Sequence, residues 1–221
     1  FCNPGKDNVV SISPTYGMYK VCADINQVEF RPVELNEDFS LDAERLLSAV
    51  GPYTKAIWLC SPNNPTGNSL QTEEMEKVLK EFSGIVVIDE AYSDFSEQPS
   101  FRHRLEEFPN LVVLNPMSKA WACAGIRLGM AFASKGIISY FNKVKYPYNV
   151  NILTQQKASE MVERVADVEK WKRLILSERE SLMQAVAELP IIKHIYPTDS
   201  NFFLVKTEGA VRIYNYLVEC G

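Results

Sequence analysis

A single lysine stands among small residues in SKAWACAGIRLG, Ser118–Gly129, directly after the apolar run LVVLN. Such an amine either snorkels to the surface from a partly covered stem or sits in a dry pocket and forms a Schiff base with a carbonyl. Three further clusters bear on that choice. SPNNPTGN, Ser61–Asn68, follows the apolar run KAIWLC; its Asn, Pro and Gly residues make turns, and its asparagines, Asn64 among them, can donate to an anionic oxygen. In VVIDEAYSDF, Asp89 closes an apolar run. A carboxylate there is a helix N-cap, an exposed strand end or a counter-ion, because burying it requires a cation or donors. Tyr92, three residues on, can be carried by a turn into the same pocket. SPTYGMY, Ser13–Tyr19, places Tyr16 either in the core or as a flat aromatic face.

Ser118 and Arg127 flank Lys119, the arginine eight residues beyond it. Hydroxyl plus guanidinium is a phosphate-binding combination. There is no Walker loop and no GxGxxG, so the phosphate is not that of a nucleotide held in those ways. Ala120, Ala122, Ala124 and Gly125 either let backbone approach a ligand closely or serve tight packing. The inventory is an amine, a carboxylate, a phenol, an amide, a serine–arginine anion site and an aromatic plate. It matches one cofactor, pyridoxal 5′-phosphate. The aldehyde needs the amine, the pyridine nitrogen the carboxylate, the 3′-oxygen the phenol or amide, and the phosphate the last pair.

The elements that must position these groups are read from apolar runs. Asn8–Ser13, Lys55–Cys60, Gly84–Asp89, Leu111–Asn115 and Gly129–Ser134 read as strands without polar alternation, as in a sheet covered on both faces. Helical patterns fall at Tyr16–Cys22, Leu41–Ala49, Thr72–Phe82 (with Thr72 as N-cap and acids in the first turn) and Lys135–Asn142. The alternation predicts an α/β fold with a mainly parallel sheet, whose ligand site lies at the carboxyl ends of the strands. Ile152–Leu189 has helical spacing without proline or glycine and reads as one long helix or two abutting ones. Its Met161, Val165, Val168, Trp171, Ile175 and Leu182 are expected to pack. After Pro190, Asn201–Thr207 reads as a strand and GAVRIYNYLVEC as a helix. The domain expectation is a partial large cofactor domain over 1–150, a helical connection over 151–189 and the start of a small α/β domain over 190–221.

Bulk composition narrows the function classes. The 221 residues carry a net charge of -5, with 46% hydrophobic and 23% charged residues, an ordinary globular balance without the basic face of a nucleic-acid binder. No apolar run approaches the roughly 20 residues that span a bilayer. Cys2, Cys22, Cys60, Cys123 and Cys220 are dispersed and lack metal-site spacing, which fits a reducing cytoplasm. The chain opens on FCNPGK without methionine and stops on a helical pattern, so it reads as part of a longer one.

PNNPTG, VVIDEAYSDF and SKAWACAGIRLG, in this order and spacing, resemble the fold-type-I aminotransferases of classes I and II. SPTYGMY, DSNFFLV and IYNYLVE narrow the resemblance to the branch that takes L-histidinol phosphate as amino donor and 2-oxoglutarate as acceptor in histidine biosynthesis. The resemblance implies that Lys119 binds the cofactor aldehyde and shuttles the proton, and that Asp89 keeps the pyridine nitrogen protonated. Asn64 and Tyr92 would bond the 3′-oxygen, Ser118 and Arg127 the phosphate, and Tyr16 would stack on the ring. It gives Asn201 no firm role. Trp121 and Ala122 stand where relatives often carry phenylalanine and glycine. Three family features are expected outside Phe1–Gly221: a closing amino-terminal segment, a glycine-containing phosphate-binding stretch and the arginine that pairs with the substrate carboxylate. A homodimer is implied. The same lysine, aspartate and tyrosine also serve aromatic aminotransferases, C–S lyases and decarboxylases, and a non-catalytic remnant could keep the fold.

Overall fold

The computed structural model describes all 221 residues. Six strands form one sheet: β1 (Asn8–Ser13), β2 (Glu29–Glu34), β3 (Thr54–Cys60), β4 (Ile85–Asp89), β5 (Leu111–Pro116) and β6 (Gly129–Ala133), in the order β2-β1-β3-β4-β5-β6. All neighbours pair in parallel except β6, which runs antiparallel to β5. The five expected strands of this sheet are present, and β2 joins them unannounced. Its sequence EFRPVE alternates charge with Pro32, and a proline that cannot donate to a ladder is tolerated at a sheet edge, which is where β2 lies.

Connections α1 (Met18–Ile25), α2 (Ala43–Ser48), α3 (Thr72–Glu81) and α4 (Lys135–Val144) follow the strands. Thr72 is the first helical residue of α3 rather than its cap. Gln71 takes the cap position without a side-chain cap bond, and its Oε1 accepts from the Leu41 N–H instead. Glu73 and Glu74 occupy the first turn as expected. The expected helix over Tyr16–Cys22 begins only at Met18, which leaves Tyr16 on the loop.

The two sheet faces are unequally covered. Val10, Ile12, Ile57, Leu59, Val86, Ile88 and Val113 point to one face and pack with Leu46 of α2 and Met75, Val78 and Leu79 of α3 in the main core. On the other face α1 brings Ala23 to Val9 and Ala56, and α4 brings Ile137 to Val87 and Val112. An apolar groove of about 580 Å³, floored by Trp58, Ile85 and Leu114, runs between these patches. The expected coverage of both faces is therefore complete on one and partial on the other.

Ile152–Leu189 resolves into two helices, α5 (Ile152–Val162) and α6 (Val165–Ala187). Met161, Val168 and Trp171 pack against Met117 and Cys123, and Ile175 packs near Tyr92, Phe95 and Ala120. Val165 and Leu182, expected to pack, are instead exposed. β7 (Ile192–Ile195) and β8 (Val205–Thr207) pair antiparallel and precede α7 (Ala210–Cys220). The expected strand from Asn201 thus begins four residues late, because 198–202 is tied elsewhere. Asp199 Oδ2 accepts from Ser69 N–H at 2.9 Å, and Asp199 N–H donates to the Gly67 carbonyl at 2.8 Å.

Gly67 itself has φ of +86°, and a Cβ there would stand 2.6 Å from Thr198 Oγ1. Gly67→Ala is expected to destabilise the chain by about 1–3 kcal/mol through strain and overlap. The check is a lower urea midpoint at unchanged m-value.

Candidate active site

The order of strands reverses between β1 and β3, and the crevice at such a point, outside the carboxyl ends, is where open α/β sheets bind ligands. Here Tyr16 follows β1, Asn64 follows β3, Asp89 ends β4, and Ser118 and Lys119 follow β5. Because β6 is antiparallel and pairs Gly129 with Pro116, its start returns to the same edge and brings Arg127 with it. All seven sequence-derived site residues, Tyr16, Asn64, Asp89, Tyr92, Ser118, Lys119 and Arg127, line one cleft of about 630 Å³.

Local packing sets each side chain. After β5, Met117, Ala120 and Cys123 turn inward to the two clusters beneath α6, which projects Ser118 and Lys119 into the cleft. Lys119 is exposed, with Nζ 4.9 Å from the Tyr92 ring centroid. The dry pocket that one reading of this lysine required is not provided: the amine stands at the open face of the cleft, over an aromatic ring. Tyr92 is buried and caps a 3-10 turn at Ser93–Phe95. Its ring meets Phe202 edge-on at 5.1 Å, and its hydroxyl accepts from Asn64 Nδ2 at 3.2 Å. The phenol and the amide that were to share one oxygen are thus already neighbours.

Asn63 anchors the Asn64 loop from below. Fully buried, it donates to the Pro14 carbonyl at 2.9 Å and to Thr66 Oγ1, and accepts from Thr15 Oγ1 at 2.8 Å. This ties the turns after β1 and β3 together. Asn115 does the same between β5 and β4, donating to the Glu90 carbonyl and to Ser93 Oγ.

Arg127 and Ala122 both hold left-handed backbone, with φ of +56° and +53°. Non-glycine residues pay for that conformation, and such strain gathers at functional sites. At Arg127 it swings the chain into β6 with Nη1 on the Ala124 carbonyl at 2.8 Å. At Ala122 it explains why the resemblance places glycine in relatives. Ala122→Gly is expected to raise stability by roughly 0.5–1 kcal/mol, read as a higher denaturant midpoint.

Asp89 is the electrostatic centre. Its Oδ2 accepts from Tyr19 Oη at 2.7 Å and its Oδ1 from the Ala91 N–H at 3.1 Å. Burial pushes its carboxyl above the usual range, while the Tyr19 bond, the Ala91 N–H and the Lys119 charge pull it down. Cys60 beside it is buried, and burial with the Asp89 charge pushes its thiol up to about 12. Glu90, next in sequence, is a structural carboxylate: Ser100 Oγ and Phe101 N–H both donate to it. Tyr19 and Cys60 escaped the sequence reading. Tyr19 lay in the quoted SPTYGMY, and its spacing of three from Tyr16 was the available signal. No group of three or more His, Cys, Asp or Glu side chains is placed to hold a metal ion.

The family Aminotransferase class I and II matches residues 1–218. The chain belongs to the class I and II aminotransferases. The resemblance carried by PNNPTG, VVIDEAYSDF and SKAWACAGIRLG is borne out. This class I and II aminotransferase chain is 58% identical over 218 residues to the histidinol-phosphate aminotransferase of Bacteroides thetaiotaomicron, covering 99% of this chain and 63% of that one. The structure of histidinol-phosphate aminotransferase from Clostridium acetobutylicum matches with a TM-score of 0.89 at 25% identity, over 96% of this chain and 66% of that one. That of the Sinorhizobium meliloti enzyme in complex with pyridoxal-5′-phosphate matches at 0.88 and 20% identity, over 98% and 60%, a likeness of fold. The chain spans about 63% of the length of the curated relatives it matches.

Proposed function

We propose that this chain carries the cofactor site of a pyridoxal-phosphate-dependent aminotransferase that moves the amino group of L-histidinol phosphate to 2-oxoglutarate in histidine biosynthesis. The observation that supports it most is the donor set of the cleft: amine, carboxylate, phenol, amide, hydroxyl, guanidinium and aromatic face line one space. These residues fit the cofactor group by group. The bound cofactor supplies an electron sink that acidifies the Cα–H bond of the amino donor.

The chain's own groups do the rest. Lys119 Nζ would hold the aldehyde carbon and would move the Cα proton as general base from its place at the cleft. Asp89 would keep the ring nitrogen protonated through its carboxylate. Asn64 and Tyr92, already bonded to each other, donate toward the 3′-oxygen. Arg127 and Ser118 hold the phosphate by charge-assisted bonds, and Tyr16, 46% exposed at the mouth, offers its face to the ring.

C–S lyases, decarboxylases and aromatic aminotransferases use the same lysine, aspartate and tyrosine. Identity of 58% to a relative named histidinol-phosphate aminotransferase favours that transamination. The division at 150 and 190 is kept as the domain reading, since a separate two-stranded sheet lies beyond 190. Exposed Tyr140, Val144, Tyr146, Tyr148, Ile152 and Leu153 support a homodimer through this stretch. No helix is long and apolar enough to cross a membrane, and five free cysteines support a reducing compartment such as the cytoplasm. The test is glutamate formation by the full-length gene product from L-histidinol phosphate and 2-oxoglutarate. Glutamate formed from tyrosine or phenylalanine but not from histidinol phosphate would move the reading to an aromatic aminotransferase.

A further inference from the structure

We propose that Tyr19 is a positioning residue of the cleft: its phenol holds the Asp89 carboxylate ionised and oriented before any ligand enters. The inference rests on the reading of Asp89 as the partner of the cofactor's ring nitrogen.

Tyr19 sits in the first turn of α1 and is 8% exposed. Its ring lies against Trp58, with centroids 5.1 Å apart, and meets Tyr16 edge-on at 5.6 Å. Packed from both sides, the phenol is held in place, and its hydroxyl reaches Asp89 Oδ2 at 2.7 Å. The Ala91 N–H fixes the other oxygen at 3.1 Å. Two donors on two oxygens lock the carboxylate plane. Each oxygen keeps a further lone pair for a donor from the cleft.

Three titratable groups face Asp89 from three elements: Tyr19 from α1, Cys60 from the end of β3, and Lys119 from the turn after β5. Burial opposes the charge on Asp89, and the Tyr19 bond is the largest influence that favours it. Cys60 adds no competing negative charge, because burial keeps its thiol protonated at neutral pH. Lys119 lends its charge only while its amine is free. The Tyr19 hydrogen bond is present throughout, since burial and the neighbouring Asp89 keep the phenol protonated far above its ordinary range. A neutral Asp89 could not hold a cationic ring nitrogen, so the phenol guards the state on which the site depends.

The experiment follows the aspartate side-chain carboxyl carbons of the ligand-free 221-residue chain by NMR over pH, with Asp89→Asn to assign the Asp89 signal. In Tyr19→Phe, which keeps the ring and removes only the hydroxyl, the Asp89 midpoint is expected to rise by about one to two pH units, the effect of one hydrogen bond to a charged group. Cofactor affinity, read by absorbance, should fall on the acid side at a correspondingly higher pH. A merely structural tyrosine would lower the unfolding midpoint and leave the Asp89 titration where it was; that result overturns the proposal, whether or not the chain binds pyridoxal phosphate. A raised midpoint, together with a full-length gene product that binds no pyridoxal phosphate, upholds the Tyr19–Asp89 coupling and overturns the cofactor reading beneath it. Should Tyr19→Phe not fold, the phenol carbon of labelled Tyr19 in Asp89→Asn reads the same bond from its other end. A shifted resonance supports the coupling and an unshifted one overturns it.

Discussion

Lys119→Ala in the full-length gene product is expected to cut amino-group transfer by at least about 10⁴-fold, because one side chain performs two tasks. In the proposed site its Nζ would anchor the aldehyde, and the same atom would then move the Cα proton. General acid–base catalysis alone contributes about 10²–10⁴-fold. The fold should not suffer. Lys119 is exposed, while its neighbours Met117, Ala120 and Cys123 carry the packing, so the variant's unfolding midpoint should match the parent's. Lysine replaced by arginine would not rescue, since a guanidinium stays protonated and cannot serve as the amine. Turnover retained in Lys119→Ala would remove the lysine from the chemistry.

Asp89→Asn should separate function from stability in opposite directions. An amide cannot balance a protonated ring nitrogen, and losing one preorganised electrostatic partner costs about 10²–10³-fold in rate. Stability of the ligand-free chain should rise at neutral pH. Burial lifts the folded-state pKa of Asp89 above its unfolded value, so between those two values the folded chain binds the proton that the unfolded chain has lost. Stability from this group is then full below the unfolded pKa and falls as pH rises through the folded one. The asparagine variant lacks that loss. Its advantage in urea should appear above the carboxylate range and vanish on acidification. A variant less stable than its parent at neutral pH would contradict this account of Asp89.

Much of the site was legible because its residues follow strand ends. Asn64, Asp89, Ser118 and Lys119 each come directly after, or close, an apolar run, and a parallel sheet gathers such positions at one edge. Arg127 joined them through the antiparallel return of β6, which spacing alone does not reveal. What stayed hidden had other physical causes. β2 mixes charge and proline because it is an edge strand, so no apolar run marked it. Tyr19 falls within the helical pattern Tyr16–Cys22 with nothing local to mark it, and only the folded chain brings its hydroxyl to a residue 70 positions away. Val165 and Leu182 fit the helical period but fall outside the stripe that α6 lays against the turns after β4 and β5. Lys119 was read as either snorkelling or dry. It is exposed yet lines a cleft, an arrangement that matches neither alternative in full and that periodicity cannot express.

The most direct measurement mixes the full-length gene product with pyridoxal 5′-phosphate, reduces with borohydride and maps the pyridoxyl adduct by peptide mass, with Lys119→Ala as control. The account predicts one dominant adduct on Lys119 that the control lacks. Weak labelling scattered over surface lysines, unchanged in the control, would contradict it.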